Sequence, residues 1–263
     1  MNDDTPPPET GWAGPILAAI RFFSRLPAGK GARRPDLGRM APLLPVAGLA
    51  IGALPALTLA ALTLLGTPPL FAAVVALAVW VIVTGAMAED GFADAMDGLF
   101  GGASRERRLE ILKDPRHGTY GVSGLVLSFL LRASALATLV FANPVTGALA
   151  WLGIGIAARS FALWLPATMP AARSDGASAA AGSVTIRGFA FGAGLAAVIA
   201  GVLATPVVGP EGAIILLFGM ALAILGWRAL CHHLVGGHTG DLIGAGQLIL
   251  EIAALSFFMV WVR

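Results

Sequence analysis

Apolar residues run along this chain in stretches of about 20, the length that carries a helix across the hydrocarbon core of a bilayer. They fall at residues 43–66, 69–88, 121–142, 145–169, 188–208, 212–230 and 241–262, with most polar residues confined to the joints. The pattern predicts an all-α fold, a polytopic membrane helical bundle of about seven transmembrane helices. A further apolar stretch, Trp12 to Phe23, is too short to span and predicts an interfacial helix. Ahead of it, the acidic, proline-rich residues 1–11 predict a disordered tail. Residues 12–263 then make a single integral-membrane domain, since no repeat of about 20 to 50 residues divides them. GxxxG spacings at Gly48–Gly52 and Gly240–Gly244 are weak signs of close helix packing.

Composition agrees: 57% of residues are hydrophobic and only 12% are charged. The net charge of +2, spread between the apolar spans, gives no basic stripe for nucleic acid. Basic residues nevertheless fall on one side. Arg25, Lys30, Arg33, Arg34 and Arg39 precede the first span, and Arg105, Arg107, Arg108, Lys113 and Arg116 follow the second. Arg173 and Arg187 follow the fourth, and Arg228 closes the sixth, whereas the alternate loops carry no Lys or Arg. The positive-inside rule makes the basic side cytoplasmic. The single cysteine, Cys231, excludes an intrachain disulfide.

Four carboxylates crowd the nine positions from Glu89 to Asp97, inside EDGFADAMDGLFGG. Each would cost about 2.5 to 3.5 kcal/mol at a bilayer centre, so the cluster belongs at water, a polar cavity or a cation. On a helix, Asp94 lies about 40° from Asp90 and Asp97 about 20° to its other side, while Glu89 lies about 100° away. Three aspartates therefore share one stripe. Such oxygen ligands suit a hard divalent cation, and Mg²⁺ in particular is usually shared between one or two carboxylates and substrate phosphates. A solvated helix end closed by Gly98, Gly101 and Gly102 is the plainer alternative, although exposed faces normally mix charge signs.

Two further segments carry candidate chemistry. SRERRLEILKDPRHGTYG begins a short helix capped by Ser104 and must leave helical geometry before Pro115. Its cations could meet phosphate oxygens or serve as topology anchors. GGHTGDLIGAGQLILE places Gly236, Gly237, Thr239 and Gly240 ahead of Asp241 and an apolar helix, a turn that favours an anion. Asp241 is open to three roles: metal ligand, ribose partner or helix cap. Cys231, His232, His233 and His238 fit no usual zinc spacing. Arg132, Arg159 and Glu251 lie deep in their spans, about ten residues or more from an end, and such charges pair. The expected partner of Glu251 is Arg159 or Arg132.

With these residues in view, the chain resembles the adenosylcobinamide-GDP ribazoletransferase (cobalamin synthase) family. The specific part is EDGFADAMDGLFGG followed by RRLEILKDPRHGTYG; FFSRLP, LLPVAGLAIG and GGHTGDLIGA support it along most of the length. Ala88, Met96, Phe100 and His238 depart from the usual pattern without touching a ligand position. The resemblance implies a membrane transferase, in the cell inner membrane with its polar site facing the cytoplasm. It would join adenosylcobinamide-GDP to α-ribazole, or its 5'-phosphate, and release GMP. Mg²⁺ is the implied cofactor, held by Glu89, Asp90, Asp94 and Asp97. Asp97, Asp94 and Lys113 are the expected catalytic residues, with Asp97 as proton acceptor. Asp114, Arg116, Gly237, Thr239 and Asp241 are expected to bind substrate. The implied partners are these substrates and the lipid bilayer, with no nucleic acid; self-association and association with other cobalamin-assembly enzymes stay open.

Two other readings remain. A CDP-alcohol phosphotransferase also clusters aspartates on membrane helices, but its DGxxAR pattern is not matched after Asp90-Gly91. A divalent-cation transporter would line a path with acids, whereas these acids gather at one interface.

Overall fold

The computed structural model describes residues 11–29, 36–173 and 182–261. All but one residue of the expected tail, and the basic residues Lys30, Arg33 and Arg34, lie outside that range. The described chain is helical: α1 (Ala13–Phe23), α2 (Leu37–Met40, continued by a 3₁₀ turn), α3 (Leu44–Leu64), α4 (Pro69–Thr84), α5 (Met87–Gly101) and α6 (Arg105–Ile111). There follow α7 (Thr119–Ala142), α8 (Pro144–Ala162), α9 (Trp164–Thr168), α10 (Ile186–Val235) and α11 (Gly240–Trp261). By length and composition, five helical segments qualify as spans, and six if the bent α4–α5 pair is counted as one broken span.

The seven expected segments are all present, but two of them depart from straight spans. At 50 residues, α10 would be about 75 Å long, more than twice the hydrocarbon thickness. It is broken at Gly209, whose φ of 72° only glycine adopts freely, with Pro206 and Pro210 on either side. A Cβ placed on Gly201 would meet Leu217 from beyond the break at 3.6 Å, so the two limbs fold back on each other. The second departure is a 91° bend between α4 and α5. Gly85 and Ala86 both take left-handed conformations there, with φ of 65° and 59°. Two such residues in succession end one helix and redirect the next. As a result α5 turns away from the line of α4 and packs along the first half of α7 and the start of α11, outside the five helical segments that qualify as spans on their own.

Helix α8 forms the centre and is the most enclosed span. Its small residues admit close neighbours. A Cβ on Gly48 of α3 would meet Ile156, one on Gly52 would strike Leu152, and one on Gly153 would meet the Ala200 backbone in α10. Trp80 and Trp151 meet at 5.4 Å between ring centroids within this core. Large apolar side chains such as Leu57, Phe141, Val202 and Phe218 stay exposed on the outer surface, where lipid would cover them.

One polar cluster lies inside. Arg132 of α7 donates from Nη1 to Glu89 of α5 at 2.9 Å and from Nε to Glu251 of α11 at 3.2 Å. Trp151 of α8 donates to the same Glu251 oxygen at 2.8 Å. Four helices are thereby clamped at one buried point. Of the two partners expected for Glu251, Arg132 makes the hydrogen bond. Arg159 is also buried, about nine residues before the end of the span Pro144–Thr168 that α8 and α9 form together.

Candidate functional site

The bend at Gly85–Ala86 puts the carboxylates of α5 at one end of the bundle. Their side chains then part company. Asp90 is open to solvent, with 66% of its side chain exposed, and Asp94 sits beneath it at 19%. Glu89 turns inward to Arg132 and is buried. Asp97 faces the start of α7, accepting from the backbone N–H of Gly118 at 2.6 Å and of Gly121 at 2.9 Å.

Asp97 thus satisfies orphan N–H groups at a helix start that lacks a capping side chain of its own. Its negative charge also opposes the positive end of α7. Such close approach needs glycine on the partner: a Cβ on Gly121 would collide with the Asp97 carboxylate and come within 2.8 Å of the Ala93 carbonyl. Gly121→Ala should therefore separate α5 from α7 and lower thermal stability in detergent by about 2 kcal/mol or more. An unchanged unfolding midpoint would show that Asp97 is not held in this way. Fixing Gly118 also fixes the residue before it. His117 places Nδ1 at 3.5 Å from Asp94 and Nε2 at 4.0 Å from Asp90.

Helix α11 supplies the opposite wall. A Cβ on Gly91 would meet the Asp241 carbonyl at 2.8 Å, and one on Gly244 the Met87 carbonyl at 3.2 Å, so the two helices cross in near backbone contact. Asp241 is brought beside Asp90 and Asp94. Thr239, not Asp241, caps α11, accepting from Leu242 N–H while donating its hydroxyl to Asp241 at 3.2 Å. Arg173 reaches the same Asp241 oxygen at 3.4 Å. Gly237 serves the turn by its lack of a side chain: a Cβ would strike Pro170 O and Ala172 N, where His238 pairs with the 170–172 backbone.

Burial, together with the charges of Asp90 and Asp241, pushes the Asp94 carboxyl up to about 6, with His117 only partly opposing. Like charges held together in this way favour a shared cation. Among the described residues no three of His, Cys, Asp and Glu are gathered as a ready-made metal cage. Asp90, open to solvent, and the partly buried Asp94 beneath it nonetheless fit a Mg²⁺ ion that takes its remaining ligands from water and substrate phosphate.

The basic segment divides by role. Arg105 donates to Val235 O at 2.8 Å and Arg108 to Leu234 O and Leu99 O, so both cap the end of α10 and Arg108 also caps that of α5. Arg107 pairs with Glu110 on the surface. Arg116 grips Asp114 through two side-chain bonds, of 2.9 and 2.7 Å, and holds that carboxyl down at about 2. Lys113 follows α6 on the exposed surface. His117, Arg173 and Arg159 were not singled out as site residues from the sequence. The hint for His117 was its place just before the glycine pair that Asp97 holds.

Several basic residues lie near the carboxylates, among them Arg173, which reaches Asp241, and Arg105, which reaches the end of α10 ahead of the turn to Asp241. Arg25 donates its backbone N–H to Val83 O beside the bend, and Arg228 holds Thr168.

Comparison with known proteins accords with this arrangement. The family model of CobS, cobalamin-5-phosphate synthase, matches residues 15–259. An adenosylcobinamide-GDP ribazoletransferase of Azorhizobium caulinodans is 42% identical over 94% of this chain and 96% of its own length. Proteins of the same description from Rhizobium johnstonii and Bradyrhizobium diazoefficiens are 39% and 40% identical, over 90% and 93% of this chain and 93% and 94% of theirs. No solved structure matches. The chain belongs to the cobalamin-5-phosphate synthase family.

Proposed function

We propose that this membrane enzyme transfers the cobinamide phosphate of adenosylcobinamide-GDP to α-ribazole, or to its 5'-phosphate, and releases GMP. The observation that carries the reading is the convergence of Asp90, Asp94 and Asp241 at one end of a membrane bundle, beside His117 and Arg173. Phosphoryl transfer requires chiefly positioning and charge neutralisation. A ribose hydroxyl of the acceptor attacks the phosphorus bound to cobinamide, the bond to the bridging oxygen breaks, and GMP leaves with that oxygen. Asp90 and Asp94, with Asp241 opposite, would hold Mg²⁺. When bound, the ion would neutralise charge on the pyrophosphate.

The proton of the attacking hydroxyl goes to His117, held against Asp94. Asp97, with both oxygens engaged by α7, sets the position of His117 and does not itself serve as the base. Arg173 lies where it can meet a phosphate oxygen once Asp241 turns to the cation. Lys113 and Arg116 lie on the exposed segment that leads to His117, and Arg116 must release Asp114 to engage substrate. The collected basic residues support a cytoplasmic placement of this end, where nucleotide and Mg²⁺ are supplied.

Complementation tests the assignment in cells. A strain lacking its own ribazoletransferase, fed cobinamide and α-ribazole, should regain cobalamin-dependent growth when it expresses this chain. Membrane-inserted protein without growth would count against the assignment.

A further inference from the structure

Beneath the carboxylates lies a cavity of about 190 Å³ whose walls include Asp90 and Asp241 as well as residues deeper in the bundle. Phe22, Phe23, Leu163 and Ile243 make its apolar walls, and Arg159 and Gln247 add polar groups to its lining. The volume is below the roughly 300 to 1,000 Å³ of pockets for drug-sized ligands. It suits one ring system, not a nucleotide or a corrinoid.

Arg159 decides the chemistry. Its residue is 3% exposed, and its Nε–H has no hydrogen-bond partner among the described residues. The guanidinium lies over the Trp80 and Phe23 rings at 5.5 and 6.0 Å from their centroids. A buried donor without an acceptor is costly. Glu89 and Glu251 share the single positive charge of Arg132, which leaves one negative charge in this interior region to set against that of Arg159. Two carboxylates and two guanidiniums leave this interior region neutral. What is missing is an acceptor within reach of Arg159, not a counter-ion, so a neutral acceptor on a flat apolar body satisfies it better than a phosphate would.

We infer that this cavity seats the base of the acceptor nucleoside, with Arg159 donating a hydrogen bond to the ring nitrogen that is not glycosylated. The inference rests on the substrate assignment above. α-Ribazole carries a flat, apolar, bicyclic base with one free ring nitrogen, which meets each requirement of the lining. With the base between Phe22, Phe23 and Arg159, its ribose points back toward Asp90 and Asp241, where the hydroxyl must react. Arg159 is then a binding and specificity residue of the acceptor subsite.

The test compares α-ribazole with its indole analogue, in which the free ring nitrogen is replaced by CH. In the wild-type protein the analogue should raise the acceptor KM about 10-fold or more, the effect of losing one hydrogen bond from a charged donor. The KM for adenosylcobinamide-GDP should stay unchanged. With EDTA present, α-ribazole alone should raise the unfolding temperature and the analogue should not. Arg159→Met should reduce the discrimination between the two acceptors to within about twofold. Should that variant fail to fold, the wild-type comparison still decides. Equal KM values and equal thermal shifts for the two acceptors would overturn the proposal. Absence of GMP release with either acceptor would instead overturn the transferase reading on which it stands.

Discussion

Asp94→Asn should lower GMP release by about 100-fold or more, the scale seen when one charge-stabilising group is removed from an active site, while the protein still folds and inserts. The two halves of this expectation have one cause. Asp94 is held among like charges and is partly buried, so its ionised form is disfavoured in the folded protein when no cation is bound. Asparagine keeps the shape and removes the repulsion, so stability should be unchanged or slightly raised. What disappears is the negative charge that a cation requires. Added Mg²⁺ should therefore restore little. Asp97→Asn makes the contrast, because an amide has only one acceptor oxygen for the two N–H groups of Gly118 and Gly121. That variant should lose stability first, and activity through it. Wild-type turnover by Asp94→Asn would remove Asp94 from the site.

Arg132→Leu should have the largest effect on folding. Its side chain is fully buried between Glu89 and Glu251, and leucine would leave two carboxylates in the bundle without the guanidinium that pairs them, Glu251 keeping only its bond from Trp151. Breaking a buried pair from one side costs about 3 to 5 kcal/mol, a large share of a typical total stability of about 5 to 15 kcal/mol. Little folded protein should be recovered from the membrane. Glu251→Gln should be milder, since its amide oxygen can still accept from Trp151. Adding Glu89→Gln to Arg132→Met should recover part of the loss, because one charge of each sign is then removed and Glu251 remains to balance Arg159. Normal yield and normal unfolding of Arg132→Leu in detergent would contradict the clamp.

The helical periodicity showed which carboxylates share a face, but not where each one ends. Asp90, Asp94 and Asp97 share a stripe on α5, as a 3.6-residue repeat requires. Asp97 leaves the group because Gly118 and Gly121 let the backbone of α7 approach it, a contact between segments that no local pattern encodes. Glu89, about 100° off the stripe, points at Arg132, a residue 43 positions later. The apolar runs likewise located the spans and not their turns. Gly209, between Pro206 and Pro210, carries a local signal for the break in α10. The bend after α4 depends partly on Ala86, whose left-handed conformation runs against its own preference and is imposed by packing. Thr239 as the cap of α11 was open to a sequence reading, while the closeness of Asp241 to Asp90 and Asp94 required the crossing at Gly91 and Gly244.

GMP release by the purified protein in detergent is the most direct measurement of the central claim. Given adenosylcobinamide-GDP, α-ribazole and Mg²⁺, the wild-type protein should release GMP as the acceptor is consumed. Release should stop with EDTA and return with excess Mg²⁺. Folded protein that releases no GMP with both substrates and Mg²⁺ present, or that releases it equally well in EDTA, would contradict the account.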